Sequence, residues 1–238
     1  NAMISILLPT RKRVSALESS LLSLLTNATE PSNLEVLLGI DSDDVESAEY
    51  LASTRWHNIV VKYGFKPVIV TTERKGYLNL NQYVNDLGDK AIGEWLMFWN
   101  DDAEMLTSGW DTHIQYKTYF GCLRMPCENQ PHIFALFPII PKRWVDVFGC
   151  ISPVTHSDWW VYNVCAPLRR VKDIPVSVRH NRANINGENA DETYAEQSYS
   201  LDGHSPHDNR DWSHPQRKVD LETWRTTMML YGYPHETV

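Results

Sequence analysis

Asn100, Asp101 and Asp102 place three oxygen-bearing side chains in a row, directly after the apolar run Trp95 to Trp99. Clustered carboxylates suit a hard divalent cation such as Mg²⁺ or Mn²⁺, whose preferred ligands are oxygens. The competing reading is a polar turn that closes a strand, because Asn and Asp are ordinary turn residues. A second acidic group, Asp41-Ser42-Asp43-Asp44, ends another apolar run at Leu34 to Ile40. Its acids precede a helix-forming stretch, where negative charge is favourable. A third run, Ile4 to Leu8, ends at Pro9-Thr10 and the basic turn Arg11-Lys12-Arg13.

These groups act together only if the runs before them lie side by side. Trp95 to Trp99, bounded by Gly93 and by acids, reads as a central strand buried on both faces. Ile4 to Leu8 and Leu34 to Ile40 read as strands of the same kind, and a further strand is predicted within Ile59 to Thr72, interrupted at Lys66-Pro67. Helical spacing of Leu17, Leu21, Leu24 and Leu25, a helix through Val45 to Arg55 and one within Leu78 to Ala91 separate them. Three βα units before residue 100 predict an α/β fold with a mostly parallel, Rossmann-like central sheet flanked by helices. Open sheets of this class keep ligands outside the carboxyl ends of their strands, where the acids fall.

Beyond residue 103 the spacing predicts a helix from Gly109-Trp110 toward Tyr119, a strand at Ile133 to Ile140 and short helices near Trp144 and from Trp159 to Val164. A strand or bent edge is expected over Val171 to His180 around Pro175. Residues 181–215 are rich in Asn, Asp, Arg and His with few apolar anchors, and read as a lid or an irregular polar tail. Helical spacing resumes from Lys218 to Tyr231.

With 238 residues and 42% hydrophobic content, the chain can bury one sizeable core, so a single domain is expected over 1–238. A net charge of −8 argues against an extended nucleic-acid footprint, which needs clustered Lys and Arg. No apolar run approaches the length of a transmembrane segment. Asn1-Ala2-Met3 reads as a cleaved tag remnant, and the strand that follows it is not a signal peptide, which points to the cytoplasm, free or at a membrane surface. Cys122, Cys127, Cys150 and Cys165 lack the paired spacing of a zinc site and read as buried thiols, with a Cys122–Cys127 bridge as the alternative.

Taken in order, these motifs resemble glycosyltransferase family 2, the nucleotide-sugar-dependent enzymes of the GT-A fold. Pro9-Thr10 looks like the end of that family's opening strand, Asp41 like the acid after its second strand, and Gly76 and Asn81 like the pair before its fourth. Asn100-Asp101-Asp102, followed by Gly109-Trp110, looks like its Asp-x-Asp signature, with Asn100 in place of the first acid. Phe137 to Gly149 is similar to the family's acceptor segment. Asp158 stands at the position of its catalytic base, with Ser157 where an acid often precedes it. His180 matches a histidine of the metal or diphosphate site. Leu80 departs from an arginine common in the family, a charge that Arg74 or Lys75 would supply.

The resemblance implies a nucleoside-diphosphate sugar as donor, Mn²⁺ or Mg²⁺ as cofactor, and a glycan, lipid or other hydroxyl as acceptor. Residues 4–102 would form the nucleotide-sugar half, 103–180 the acceptor half and 181–238 the lid or tail and last helix. It puts the metal on Asp102 and His180, and the nucleotide sugar against Pro9, Thr10, Arg11, Asp41, Lys75, Gly76, Asn81, Asn100 and Asp101. For Asp41 the plain alternative is an N-cap of the next helix. Asp158 would be the general base, or else an ordinary first-turn acid. Trp159 and Trp160 would stack on the acceptor sugar or serve as core. Two other functions fit some of these features: a binding module without catalysis, and a sugar-phosphate nucleotidyltransferase. The latter lacks its usual glycine-rich phosphate loop here.

Overall fold

The computed structural model of the protein describes residues 2–116, 118–131, 134–181 and 214–231. Its centre is a seven-stranded sheet in the order β3-β2-β1-β4-β7-β6-β8, built from β1 (Ile4–Pro9), β2 (Leu34–Asp41), β3 (Lys66–Thr72), β4 (Trp95–Phe98), β6 (Cys122–Arg124), β7 (Ile139–Pro141) and β8 (Val171–Asp173). β3, β2, β1 and β4 run parallel, and β7 lies antiparallel between β4 and β6. β5 (Ala103–Met105) and β9 (Val178–His180) form a separate antiparallel pair.

The central strands are apolar at nearly every position because both faces are covered. Alternating side chains divide between two cores. Ile6, Leu8, Val36, Leu38, Met97 and Trp99 pack with α1 (Val14–Asn27) and the helical layer of α2 (Val45–Leu51) and α3 (Thr54–Tyr63). Leu7, Leu37, Leu96 and Phe98 pack on the other side with α4 (Leu80–Lys90), α5 (Arg143–Phe148) and α6 (Ser157–Cys165). A last helix, α7 (Gln216–Tyr231), closes over α5 and α6, with Trp224 stacked on Phe148 at a centroid distance of 4.3 Å. No described helix is long and apolar enough to cross a membrane.

Local chemistry explains where the elements differ from the sequence reading. Ile59 to Val61 belong to α3, not to a strand, because the Ser53 hydroxyl caps that helix at the Trp56 N–H and Gly64, at φ 68°, ends it. Pro67 sits inside β3, which is tolerated because β3 is an edge strand. The helix expected toward Tyr119 is one short 3₁₀ turn, Trp110–His113. Of the strand expected at 133–140, only Ile139 and Ile140 are in β7, which ends at Pro141. The stretch around Pro175 divides into β8 and β9, which join different sheets. All four cysteines are free, so the Cys122–Cys127 bridge is not formed. Of the predicted lid or tail, residues 182–213 lie outside the described residues.

Candidate active site

The strand order reverses direction beside β1. The chain steps from β1 to β2 and β3 on one side, then returns through α4 to place β4 on the other. Such a reversal leaves a crevice at the carboxyl ends of the two strands that part. Here those ends are Pro9-Thr10 and Asn100–Asp102, and a cleft of about 520 Å³ opens over them.

Asp101 and Asp102 are both buried, but they point to different partners. Asp101 accepts hydrogen bonds from the Thr10 hydroxyl (2.7 Å) and from Arg13 Nη1 (3.1 Å), which ties the end of β4 to the end of β1. Burial pushes the Asp101 carboxyl up to about 6, with Asp102 adding to the rise and Arg13 and Thr10 opposing it. Asp102 faces His180, with Oδ1 3.0 Å from Nε2. The β5–β9 register, in which Ala103 lies opposite His180, brings the two together. The His180 ring is fixed from behind by Gln130 Oε1, 2.7 Å from Nδ1, and by the edge of Phe137.

A carboxylate oxygen and an imidazole nitrogen are both competent ligands for a divalent transition metal. Two ligands at right angles, each about 2.1 Å from an ion, stand about 3.0 Å apart, which is the spacing found. Gln130 Oε1 at Nδ1 and Asp102 Oδ1 at Nε2 hold the ring at both nitrogens, so its plane is fixed toward the carboxylate. Among the described residues no third His, Cys, Asp or Glu completes a metal cluster. Asp102 and His180 would supply two ligands of such an ion, the others coming from outside this pair.

At the other end of the cleft, Asp41 closes β2. Its carboxylate accepts from Arg11 Nη1 at 3.0 Å and from the Tyr83 hydroxyl. Burial, then the bond to Asp41, pushes the Tyr83 phenol up to about 12. The N-cap of α2 is Asp44, whose Oδ1 accepts the Ser47 N–H at 3.1 Å, so Asp41 is not the cap. Pro9, Thr10, Arg11, Gly76 and Asn100 also border the cleft.

Asp158 lies in the first turn of α6 and borders the same cleft, half-buried. One of its oxygens accepts the Trp159 N–H at 2.8 Å. Burial raises its carboxyl above the usual range, against the pull of that N–H and of nearby His156 and His180. Asp158 is thus a first-turn acid of α6 that also borders the cleft. Trp159 borders the cleft beside it, whereas Trp160 is fully buried and packs edge-on against Trp224 at 5.1 Å.

Three predicted residues stand away from the cleft wall. Lys75 directs its ammonium to Asp86 Oδ2 at 3.4 Å, and Arg74 reaches the cleft in its place. Asn81 donates to the Ser152 carbonyl at 3.3 Å. Trp160 is core. The sequence reading also passed over Arg13, Tyr83, Tyr77 and His156, all of which border the cleft. Arg13 was within reach as part of the basic turn, but nothing in the spacing of α4 marks Tyr83 as the partner of Asp41.

The fold is that of GT-A glycosyltransferases. The mannosyltransferase PcManGT from Pyrobaculum calidifontis, solved in complex with GDP-Man and Mn²⁺, matches with a TM-score of 0.60 at 14% identity, over 97% of this chain and 75% of that one. S. aureus TarS 1-349 matches with a TM-score of 0.54 at 14% identity, over 96% and 90%. Its complex with UDP gives 0.53 at 13% identity over the same shares. No family model matches the sequence, and no curated protein matches it.

Proposed function

We propose that the protein transfers a sugar from a nucleoside-diphosphate sugar to an acceptor hydroxyl, with a divalent cation and with inversion at the anomeric carbon. One observation carries the reading: the Asp102–His180 pair and Asp158 open into a single cleft at the β1/β4 crevice of a GT-A fold. In this reading residues 4–102 carry the donor and 103–180 the acceptor. The solved neighbours named above, with GDP-Man and Mn²⁺ or with UDP, are in keeping with it.

Asp102 and His180 would hold Mn²⁺ or Mg²⁺, whose contribution when bound is Lewis-acid neutralisation of charge on the leaving diphosphate. Arg13 and Arg74 bring guanidinium charge to the same cleft. Asp41, oriented by Arg11 and Tyr83, faces the nucleoside end. Asp158 accepts the proton of the acceptor hydroxyl while that hydroxyl's oxygen bonds to the anomeric carbon and the bond to the diphosphate oxygen breaks. A single base and no covalent sugar–enzyme step give inversion, by analogy with glycoside hydrolysis. Trp159, beside the base, offers an aromatic face to an acceptor ring.

The test is consumption of a panel of nucleotide sugars, GDP-Man and UDP-GlcNAc among them, with Mn²⁺, with Mg²⁺ and with chelator. Metal-dependent release of nucleoside diphosphate from at least one donor is expected. Metal-dependent binding of donors without any turnover would make the protein a binding module.

A further inference from the structure

The backbone that delivers Asp158 to the cleft has no regular structure of its own. It leaves α5 at Gly149 and enters α6 after His156. It is held instead by one face of α4. Asn85 Oδ1 accepts the N–H groups of Ile151 (2.9 Å) and Ser152 (3.0 Å), and its amide nitrogen donates to the Ser152 carbonyl (2.9 Å). One turn earlier, Asn81 donates to the same carbonyl. Just before α4, in the 3₁₀ turn Tyr77–Asn79, the Leu78 carbonyl accepts from the Thr155 hydroxyl at 2.5 Å. One turn later, Gly88 leaves the space that Ile151 fills, and a Cβ there would run into the Ile151 side chain.

Asn is a poor choice for a helix interior on propensity alone. Its amide carries an acceptor and donors on one short stem, so at position 85 it supplies what a neighbouring strand would have supplied to Ile151 and Ser152. The same helix bears Tyr83, whose hydroxyl meets Asp41, while Leu80 and Val84 border the cleft. α4 thus touches the nucleoside end through Tyr83 and the base-bearing segment through Asn81 and Asn85.

We infer that Asn85, seconded by Asn81, is a positioning residue: its three hydrogen bonds to residues 151 and 152 set where Asp158 stands over the donor. The inference rests on the sugar-transfer reading. A shift of about 1 Å in a reacting group costs on the order of a hundredfold in rate without altering binding at a distant subsite.

The test compares parent, Asn85→Ala and Asn85→Asp for kcat and donor KM, using the donor that the parent consumes, with the melting temperature of each preparation recorded. Asn85→Ala should lower kcat on the order of a hundredfold at an unchanged donor KM, well below its melting temperature. Asn85→Asp keeps an acceptor for both N–H groups and should recover most of kcat. Parental kcat in folded Asn85→Ala overturns the inference, as does a folded Asn85→Asp that fails equally. If the parent consumes no donor, the sugar-transfer reading falls, and this inference with it. An active parent with an indifferent Asn85→Ala removes the inference alone.

Discussion

At Asp41 one carboxylate is shared by a guanidinium and a phenol, while the helix start three residues on is capped by Asp44. Residues of one type, close in sequence, thus hold unlike roles because each meets a different partner. Asp101 and Asp102 divide in the same way: Asp101 braces β1 against β4 and Asp102 faces His180. Asp102→Ala should therefore abolish the effect of Mn²⁺ on nucleoside-diphosphate affinity and remove most of that affinity. Calorimetric titration with and without metal checks this, and parental affinity in the variant would refute it. Asp158→Asn keeps the size of the side chain but cannot take a proton. Turnover should fall by about 10² to 10⁴ at unchanged donor affinity, as measured by initial rates and calorimetry on one preparation. Because the active form of a base is the ionised one and burial raises the Asp158 carboxyl, transfer should fall as pH drops through a value above the usual carboxylate range. A pH–rate profile with its acid limb at an ordinary aspartate value would contradict that environment.

The elements around the site rely on a few local devices. α2 depends on Asp44, which also accepts the Lys12 N–H at 2.8 Å and so ties the turn after β1 to the start of α2. Asp44→Ala should lower stability by about 1–2 kcal/mol, read from the denaturation midpoint. α6 depends on its buried face. Trp160→Ala should cost about 3–5 kcal/mol by leaving a cavity beneath Trp224, measured by denaturant unfolding. A parental stability with a weakened acceptor KM would instead return Trp160 to the cleft. At the opposite end of the sheet, Glu35 is fully buried: its Oε2 accepts from Ser5 Oγ at 2.6 Å and from the Ile92 N–H at 2.9 Å, and its Oε1 stands 3.1 Å from the Lys66 ammonium. This network holds the entry to β4 against β1 and β2, and with it the strand that carries the acidic motif. Gly93 is part of it, since a Cβ there would stand 2.5 Å from Ser5 Oγ.

At the scale of the molecule, the cleft joins strands, helices and loops far apart in the chain, so its ligand should stabilise the fold as a whole. Nucleotide with Mn²⁺ at a hundred times Kd would add about 2.7 kcal/mol, or roughly 5 to 10 °C in melting temperature. Nucleotide without metal should give much less, and equal shifts in both conditions would argue against the metal. The strands β1, β2 and β4 and the helices α1 and α4 were legible in the sequence, because a strand buried on both faces writes itself as an unbroken apolar run and a helix as a 3.6-residue repeat, whereas the half-exposed edge strand β3 does not and its start was read into α3. The acids at the carboxyl ends were legible for the same reason: each one directly follows such a run. Periodicity is a local signal, however, and says nothing of which side chains meet. That His180 faces Asp102 across 78 residues was decided by the β5–β9 register. That Trp159 borders the cleft while Trp160 is core, that Arg74 reaches the cleft while Lys75 does not, and that Asn81 serves a loop were decided by how each segment packs against its neighbours. Adjacent residues on a helix or loop point different ways, and only the packing of the whole chain determines which of those directions is the cleft.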